Sequence, residues 1–188
     1  WAAASALGPD GRVALVTMDP ARIGTMSCNP AIGGLGKGQI VREIDALGGM
    51  MGLVADATGI LFKVLNASRG AAVRGPRCQN DKYAYAAEVQ RLLAGRPRIS
   101  VIAGTVDRLL RAASGSMRGV LVPAGGGVVR PESNTEQASD AGMARPLYPT
   151  TPQAADRFEE PTELRSRAVV LTTGTFMRAL MHTGDQQV

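Results

Sequence analysis

The chain has 188 residues, 45% of them apolar, 20% charged and only 4% aromatic, with a formal net charge of +5. That balance suits one globular domain, or one and part of another, with a core of Ala, Val, Leu, Ile and Met. No apolar run approaches the roughly 18 residues that span a bilayer, nothing marks a secretory signal, and two cysteines with a single histidine exclude a disulfide-rich scaffold and a Cys/His zinc site.

Trp1 to Leu7 is Ala-rich and helix-compatible, and Gly8 stops it. Pro9-Asp10-Gly11 is a turn, because Pro presets φ and Gly accepts φ > 0. Arg12 to Thr17 then reads as a short buried strand. Helix, tight turn and strand form the second half of a βαβ unit, whose first strand would precede Trp1. With no initiator Met, the chain is expected to be a piece of a longer protein. Residues 24–38 are too rich in Gly for a strand and are expected as a loop. The next helix carries Ile40, Ile44, Leu47 and Met51 on one face. Ile60 to Leu65 predicts a strand, Asn66 to Gln79 a basic loop, and Asn80 to Leu93 a helix ended by Gly95 and Pro97. Ile99–Ala103, Val106–Arg111 and Arg118–Val122 predict short strands, a small antiparallel layer on a parallel α/β sheet.

Residues 123–164 differ in kind, holding six of the eleven prolines and the run Gly125-Gly126-Gly127. A loop of that length does not belong inside a compact domain, so the segment is expected to be a disordered, dispensable acidic insertion. Residues 165–188 return to the fold. Arg167 to Gly174 predicts an apolar strand running into the turn Thr173-Gly174-Thr175, where backbone can approach a ligand at a sheet's carboxyl edge.

Charge is uneven. Residues 1–122 hold 15 Lys/Arg against 8 Asp/Glu, whereas residues 123–166 hold 4 against 7. The basic part suits either a phosphate-bearing partner or a solvated surface. Lys63, Arg69, Arg74, Arg77 and Lys82 cluster around a glycine-bearing loop, and a guanidinium can bond two phosphate oxygens at once. Tyr83 and Tyr85 lie just past the cluster, so there is little aromatic interleaving for base stacking.

The loop 33–38, with Gly33, Gly34, Gly36, Lys37 and Gly38 before a helix, has the makings of an anion site. It meets neither the Walker A pattern nor G-x-G-x-x-G, which leaves a cofactor contact and a plain structural turn both open. Cys28 in this loop is either a low-pKa nucleophile near Lys37 or a small packed residue. Cys78 reads as packing, and the lone His182 as a residue that orients a loop. Asn66-Ala67-Ser68 matches a glycosylation sequon without a secreted context to support it.

Taken together, Met26 to Gly38, Arg42 to Gly49 and Leu65 to Gly70, followed by Arg77, Gln79 and Asp81, closely resemble the MnmG (GidA) family. So do Ala168 to Phe176 and His182-Thr183-Gly184. The order agrees from Ala2 to Gly184 except across the insertion. Resemblance implies an FAD/NAD(P)-binding Rossmann-like parallel sheet with its first strand missing here. It implies an FAD-dependent enzyme that modifies C5 of the wobble uridine of tRNA with a carboxymethylaminomethyl-type or taurinomethyl-type group. It further implies NADH, a methylene-tetrahydrofolate carbon donor, a GTPase partner of the MnmE type and a homodimer.

The resemblance places Cys28 at the family cysteine proposed to add to C6 of uridine. It puts Val106 at an FAD contact and Thr172 to Thr175, including Thr173 and Gly174, at a sheet-edge turn. Gly33, Gly34 and Lys37 are then candidates for the cofactor, and Arg69, Arg74 and Arg77 for tRNA. Asp19 sits near where a ribose-binding acid would lie. Ala71 departs from the usual Pro, Cys78 from a frequent Ala and Lys82 from the usual Arg. The chain covers only the first part of the family's length, so alone it is expected to be inactive. The family works in bacteria and organelles, so the expected location is cytoplasmic in a bacterium and mitochondrial or plastid in a eukaryote, with no membrane contact. A relative, the folate- and FAD-dependent tRNA uridine methyltransferases, and a non-enzymatic tRNA- or nucleotide-binding module are the alternatives.

Overall fold

The computed structural model describes residues 1–132 and 145–174, with the backbone of 182–183 and 186–187. Helix α1 (Ala2–Ala6) leads through the turn at Gly8 into strand β1 (Val13–Thr17). The first residue is anchored. The Trp1 indole Nε1 donates to the Gly48 carbonyl at 2.9 Å, and the Arg96 guanidinium lies 3.8 Å from the ring centroid. A 3-10 turn (Pro20–Arg22) follows, capped by the Asp19 carboxylate, which accepts from Ala21 N and pairs with Arg22.

The Gly-rich stretch is not all loop, because Ala31–Gly33 forms strand β2. Helix α2 (Lys37–Ala46) and helix α3 (Met50–Thr58) replace the single helix expected around Ile40 to Met51. The break falls at Gly48, whose φ is +78°, and Gly49. It turns Leu47 outward to 86% exposure, removing it from the inward face. Strand β3 (Gly59–Leu65) is as expected. Strand β4 (Gly75–Asn80) occupies part of the expected basic loop, and it pairs antiparallel with both β3 and β2. Its polar, Pro-bearing sequence hides a strand that neighbours on both sides hold in place. The β3–β4 turn uses Asn66 at φ +53°, a conformation Asn tolerates better than most residues.

Helix α4 (Lys82–Ala94) is capped by Asp81, whose carboxylate accepts from Tyr83 N and Ala84 N at 2.8 Å each. Strand β5 (Ile99–Ala103) then pairs parallel with β1 from Val13↔Ile99 to Thr17↔Ala103. Strands β6 (Arg108–Arg111), β7 (Met117–Val122) and β9 (Thr162–Arg165) form a separate antiparallel sheet in the order β6-β7-β9. The architecture is mixed α/β with a partly parallel sheet.

The segment 123–164 departs from expectation. Strand β9 already begins inside it, at Thr162, which faces Val122 in the β7–β9 pair. Between them, however, the described residues are ordered and packed. Strand β8 (Gly127–Val129) pairs antiparallel with β5 and becomes the third strand of the β1-β5-β8 sheet. Val129 and Tyr148 join Val101 and Ala103 in the buried core, against Leu15, Ile23 and Ala94. The reason is that β5 has an edge to cover, and burying Tyr148 removes a large apolar ring from water.

Arg167 to Gly174, expected as a strand, has no strand pairing among the described residues. Val170 and Leu171 are 79% and 57% exposed. The antiparallel position beside β7 is taken by Thr162–Arg165 instead. Strands β10 (His182–Thr183) and β11 (Gln186–Gln187) form a two-residue antiparallel pair, while Thr175, Phe176 and Gly184 lie outside the described residues.

Candidate functional site

Two concave regions stand out among the described residues, and of the candidate residues Gly33 and Arg77 line the first of them. The first is a cleft of about 340 Å³ between the α2–α3 pair and the β2-β4-β3 sheet. Its floor is apolar, with Ile32, Val41, Phe62, Val64 and Pro76. Around it stand three cations, Arg42, Lys63 and Arg77, and two carboxylates, Asp45 and Asp56. Register explains the central pair, because Lys63 on β3 lies opposite Arg77 on β4. Arg77 in turn lies opposite Gly33 on β2. Among the described residues none of these five charged groups forms an ion pair.

Gly33 and Gly34 serve the close approach of β2 to β4. Gly33 has φ +95°, and a Cβ there would collide with the Pro76 carbonyl oxygen. Gly34 N donates to that same oxygen at 2.8 Å. A Cβ on Gly38 would also meet it, at 2.7 Å. Of the two readings of this loop, the geometry favours chain-to-chain packing for Gly33 and Gly38, whereas a Cβ on Gly34 would meet only the Leu65 side chain, at 4.0 Å. Gly36, the residue before α2, is different, with φ +67° and nothing within 4 Å of a Cβ position. Lys37 opens α2 and is exposed.

Cys28 is exposed in the loop before β2. The end of that loop is held where Asn80 N donates to the Pro30 carbonyl at 2.7 Å. The packed-residue reading therefore fits Cys78 and not Cys28. Cys78 is buried on β4 with its thiol 3.5 Å from the Ala55 carbonyl, and burial pushes its pKa up. Arg69 and Arg74 are exposed on the β3–β4 connection, and Arg77 is half-buried at the cleft. The three sit on one hairpin, with Arg77 facing a different environment from the other two.

The second region is a crevice of about 310 Å³ at the carboxyl ends of the parallel strands β1 and β5. Met18 follows β1, and Gly104 and Thr105 follow β5. Pro123 to Gly126 and Thr150 to Pro152 close it from the segment between β7 and β9. Among the described residues no charged side chain lines it. Val106, one residue beyond Thr105, is 41% exposed next to the crevice in sequence and is not part of its lining. Asp19 is engaged as a helix cap and with Arg22. Thr173 and Gly174 lie at the end of the exposed stretch after β9, with Gly174 at φ +69°. They are not brought to either region. Sequence reading missed Thr150 and Thr151, since nothing in local periodicity joins positions so far apart. No group of His, Cys, Asp and Glu able to hold a metal occurs among the described residues. No helix there is long and apolar enough to cross a membrane.

Comparison with known proteins gives this arrangement a family. The model for glucose inhibited division protein A matches residues 1–132. A tRNA uridine 5-carboxymethylaminomethyl modification enzyme MnmG of Granulibacter bethesdensis is 42% identical over 99% of this chain and 24% of its own length. The protein of the same description from Flavobacterium johnsoniae is 38% identical over 99% of this chain and 24% of its length. Solved structures of Aquifex aeolicus GidA, in two crystal forms, are 40% identical, with TM-score 0.58, over 63% of this chain and 19% of theirs. This chain thus spans about a quarter of the length of the curated relatives it matches. With a family match over residues 1–132 and close likeness to these proteins beyond it, the chain belongs to the glucose inhibited division protein A (MnmG) family.

Proposed function

We propose that this chain is part of an FAD-dependent enzyme that modifies C5 of the wobble uridine of tRNA. The observation that carries the reading is the exposed Cys28 in a loop tied by backbone to β4, whose Arg77 stands in the cationic cleft. It is joined by the likeness to relatives described as tRNA uridine 5-carboxymethylaminomethyl modification enzymes.

The crevice fits one end of FAD. Its position outside the carboxyl ends of β1 and β5 is where open α/β sheets take dinucleotides, and its uncharged lining suits an adenosine. Thr105 and the Gly125-Gly126 backbone would hold that end, with Val106 beside it. FAD, when bound, supplies redox and one-carbon chemistry that no amino-acid side chain provides. NADH and methylene-tetrahydrofolate are the proposed sources of electrons and carbon.

The chain's own residues bind and activate the uridine. Arg69 and Arg74, exposed on the β3–β4 hairpin, attract and orient tRNA phosphates. The Cys28 thiolate adds to C6 of the uracil ring, which makes C5 nucleophilic. Once C5 has formed its new bond, it loses its proton and the thiolate leaves C6, so the cysteine is regenerated. Exposure gives Cys28 access to a macromolecular substrate, while the Asn80–Pro30 bond limits the wandering of its loop. An MnmE-type GTPase and a second copy of the full-length protein complete the proposed assembly.

The test is mass spectrometry of tRNA wobble uridines after loss of the gene, then after replacement by a Cys28→Ser version. Loss of the modified wobble uridine in both, with flavin binding retained in the variant, is expected. Loss of ribothymidine instead would assign the methyltransferase reading. Unchanged nucleosides, together with tRNA binding that falls steeply with salt, would assign a non-enzymatic binding module.

A further inference from the structure

Where polar side chains serve the fold of this chain, they find partners. Gln90 on α4, at 1% exposure, donates to the carbonyls of Ala21 and Ile23 at 3.0 Å each and accepts from Leu147 N at 2.7 Å. Opposite charges three residues apart also pair, as Asp19 does with Arg22 and Glu88 with Arg91. The cleft departs from this habit. Arg42 and Asp45 stand at the same spacing on α2 and do not pair. Asp56 on α3, Lys63 on β3 and Arg77 on β4 are likewise without an ion pair or side-chain hydrogen bond among the described residues. Gly52, inside α3, also lines the cleft, and a Cβ there would come within 2.6 Å of Asp45 Oδ1. A glycine inside a helix costs about 1 kcal/mol against alanine, and here its bare backbone leaves room for the carboxylate.

The charges are sorted by wall. Both carboxylates come from the helices, together with Arg42, while Lys63 and Arg77 come from the sheet and face each other in the β3–β4 register. Two adjacent cations repel, and an anion bound between them removes that cost. The floor is apolar, with Phe62 59% exposed. At about 340 Å³ the cleft falls within the range of small-molecule pockets, about 300–1,000 Å³. The ligand that answers these features has a phosphate at one end, ring N–H donors at the other and a flat face between. A nucleoside monophosphate unit has all of them.

We infer that the cleft is a binding site for a single nucleotide, in which Lys63 and Arg77 hold the phosphate, Asp45 and Asp56 accept from donor groups on the base edge, and Phe62 carries the ring face. The inference deepens the tRNA reading above and rests on it for the source of the nucleotide, an unstacked residue of the RNA. A free nucleoside monophosphate offers the same chemistry. Ammonium and guanidinium groups bond phosphate oxygens, carboxylates accept from base amino groups, and unstacked bases lie on aromatic side chains. Arg69 and Arg74 lie on the connection between β3 and β4, so a strand whose phosphates they attract reaches the hairpin that carries both sheet cations of the cleft.

The test titrates the chain with cytidine 5′-monophosphate, cytidine, inorganic phosphate and hexacytidylate. It follows backbone amide NMR signals of Gly33, Gly52 and Phe62 in the cleft and of Arg69 and Arg74 on the hairpin. The monophosphate is expected to shift the cleft signals and to bind about tenfold more tightly than cytidine or phosphate alone, because both ends are held. Lys63 is exposed, so Lys63→Gln is expected to keep its melting temperature and to weaken the monophosphate about tenfold. Asp56→Asn, also at an exposed position, is expected to weaken cytidine and its monophosphate without weakening phosphate. Tighter binding of hexacytidylate through the same cleft signals assigns the nucleotide to RNA, and equal binding assigns it to the free nucleotide. Phosphate that binds as well as the monophosphate overturns the nucleotide site and leaves a plain anion patch. Hexacytidylate that shifts Arg69 and Arg74 but no cleft signal overturns the site and leaves the tRNA reading standing. Shifts in neither place overturn the site and the hairpin's part in tRNA binding with it.

Discussion

The crevice and the cleft are of similar volume and opposite chemistry. The crevice is built from segments far apart in sequence and has no charge in its lining among the described residues. Its walls are set by buried contacts that are fully hydrogen-bonded, with Gln90 and Tyr148 at the centre. The cleft is built from consecutive elements, α2 to β4, and carries five charged groups that form no ion pairs among the described residues. The crevice therefore has a shape maintained by packing, suited to choosing a ligand by outline. The cleft keeps charge available at a solvated rim, suited to an anionic partner whose position is fixed by other contacts.

The largest effect expected on this comparison comes from the packed region. Tyr148→Ala should destabilise the chain by about 3–4 kcal/mol, the scale for truncating a buried aromatic side chain. Urea unfolding measures it. A change under about 0.5 kcal/mol would mean that the segment between β7 and β9 is the dispensable insertion its composition suggests.

Next come two glycines, Gly33 at the end of β2 and Gly36 just before α2. Gly33→Ala should cost about 2–3 kcal/mol, because its positive φ and the Pro76 carbonyl both oppose a side chain. Gly36→Ala meets open space and should cost only about 1 kcal/mol, from backbone conformation alone. Equal costs, read from thermal melts, would show that the β2–β4 approach is not the reason for Gly33.

The two cysteines should differ in rate, with no change in stability needed to see it. An exposed Cys28 is expected to react fully with a thiol reagent in the native chain, while Cys78 waits for unfolding. The raised pKa of Cys78 acts in the same direction, since less thiolate is present at neutral pH. Two equally fast thiols would refute the burial of β4 against α3.

The smallest effect calibrates α4, the helix that carries Gln90. Arg91 grips Glu88 through two hydrogen bonds at 2.7 and 2.6 Å, which hold the glutamate pKa below its ordinary value. A carboxylate with a lowered folded pKa contributes stability above its unfolded pKa, and loses it as pH falls through the folded value. Glu88→Gln should therefore cost about 0.3–0.5 kcal/mol at neutral pH, given the exposure of Arg91, and almost nothing in strong acid. A pH-independent cost would point to packing.

Much of this protein was legible one element at a time. Val13–Thr17 and Ile99–Ala103 are short apolar runs between turn signals, and they are the parallel strands. The helix read over Asn80 to Leu93 is α4, and the composition change after Val122 marks the end of β7. The order of motifs around Cys28 to Gly38 was enough to point to the family. Those signals are local, because propensity, capping and turn chemistry act within a few residues. Tertiary structure alone decided the rest. Polar, Pro-containing Gly75–Asn80 is a strand because β2 and β3 flank it. Apolar Val169 to Leu171 is not a strand, for an apolar run is only a strand when another strand takes its hydrogen bonds. Part of an acidic, Pro-rich insertion became sheet, core and crevice wall because β5 offered an edge and Gln90 offered a partner 57 residues away.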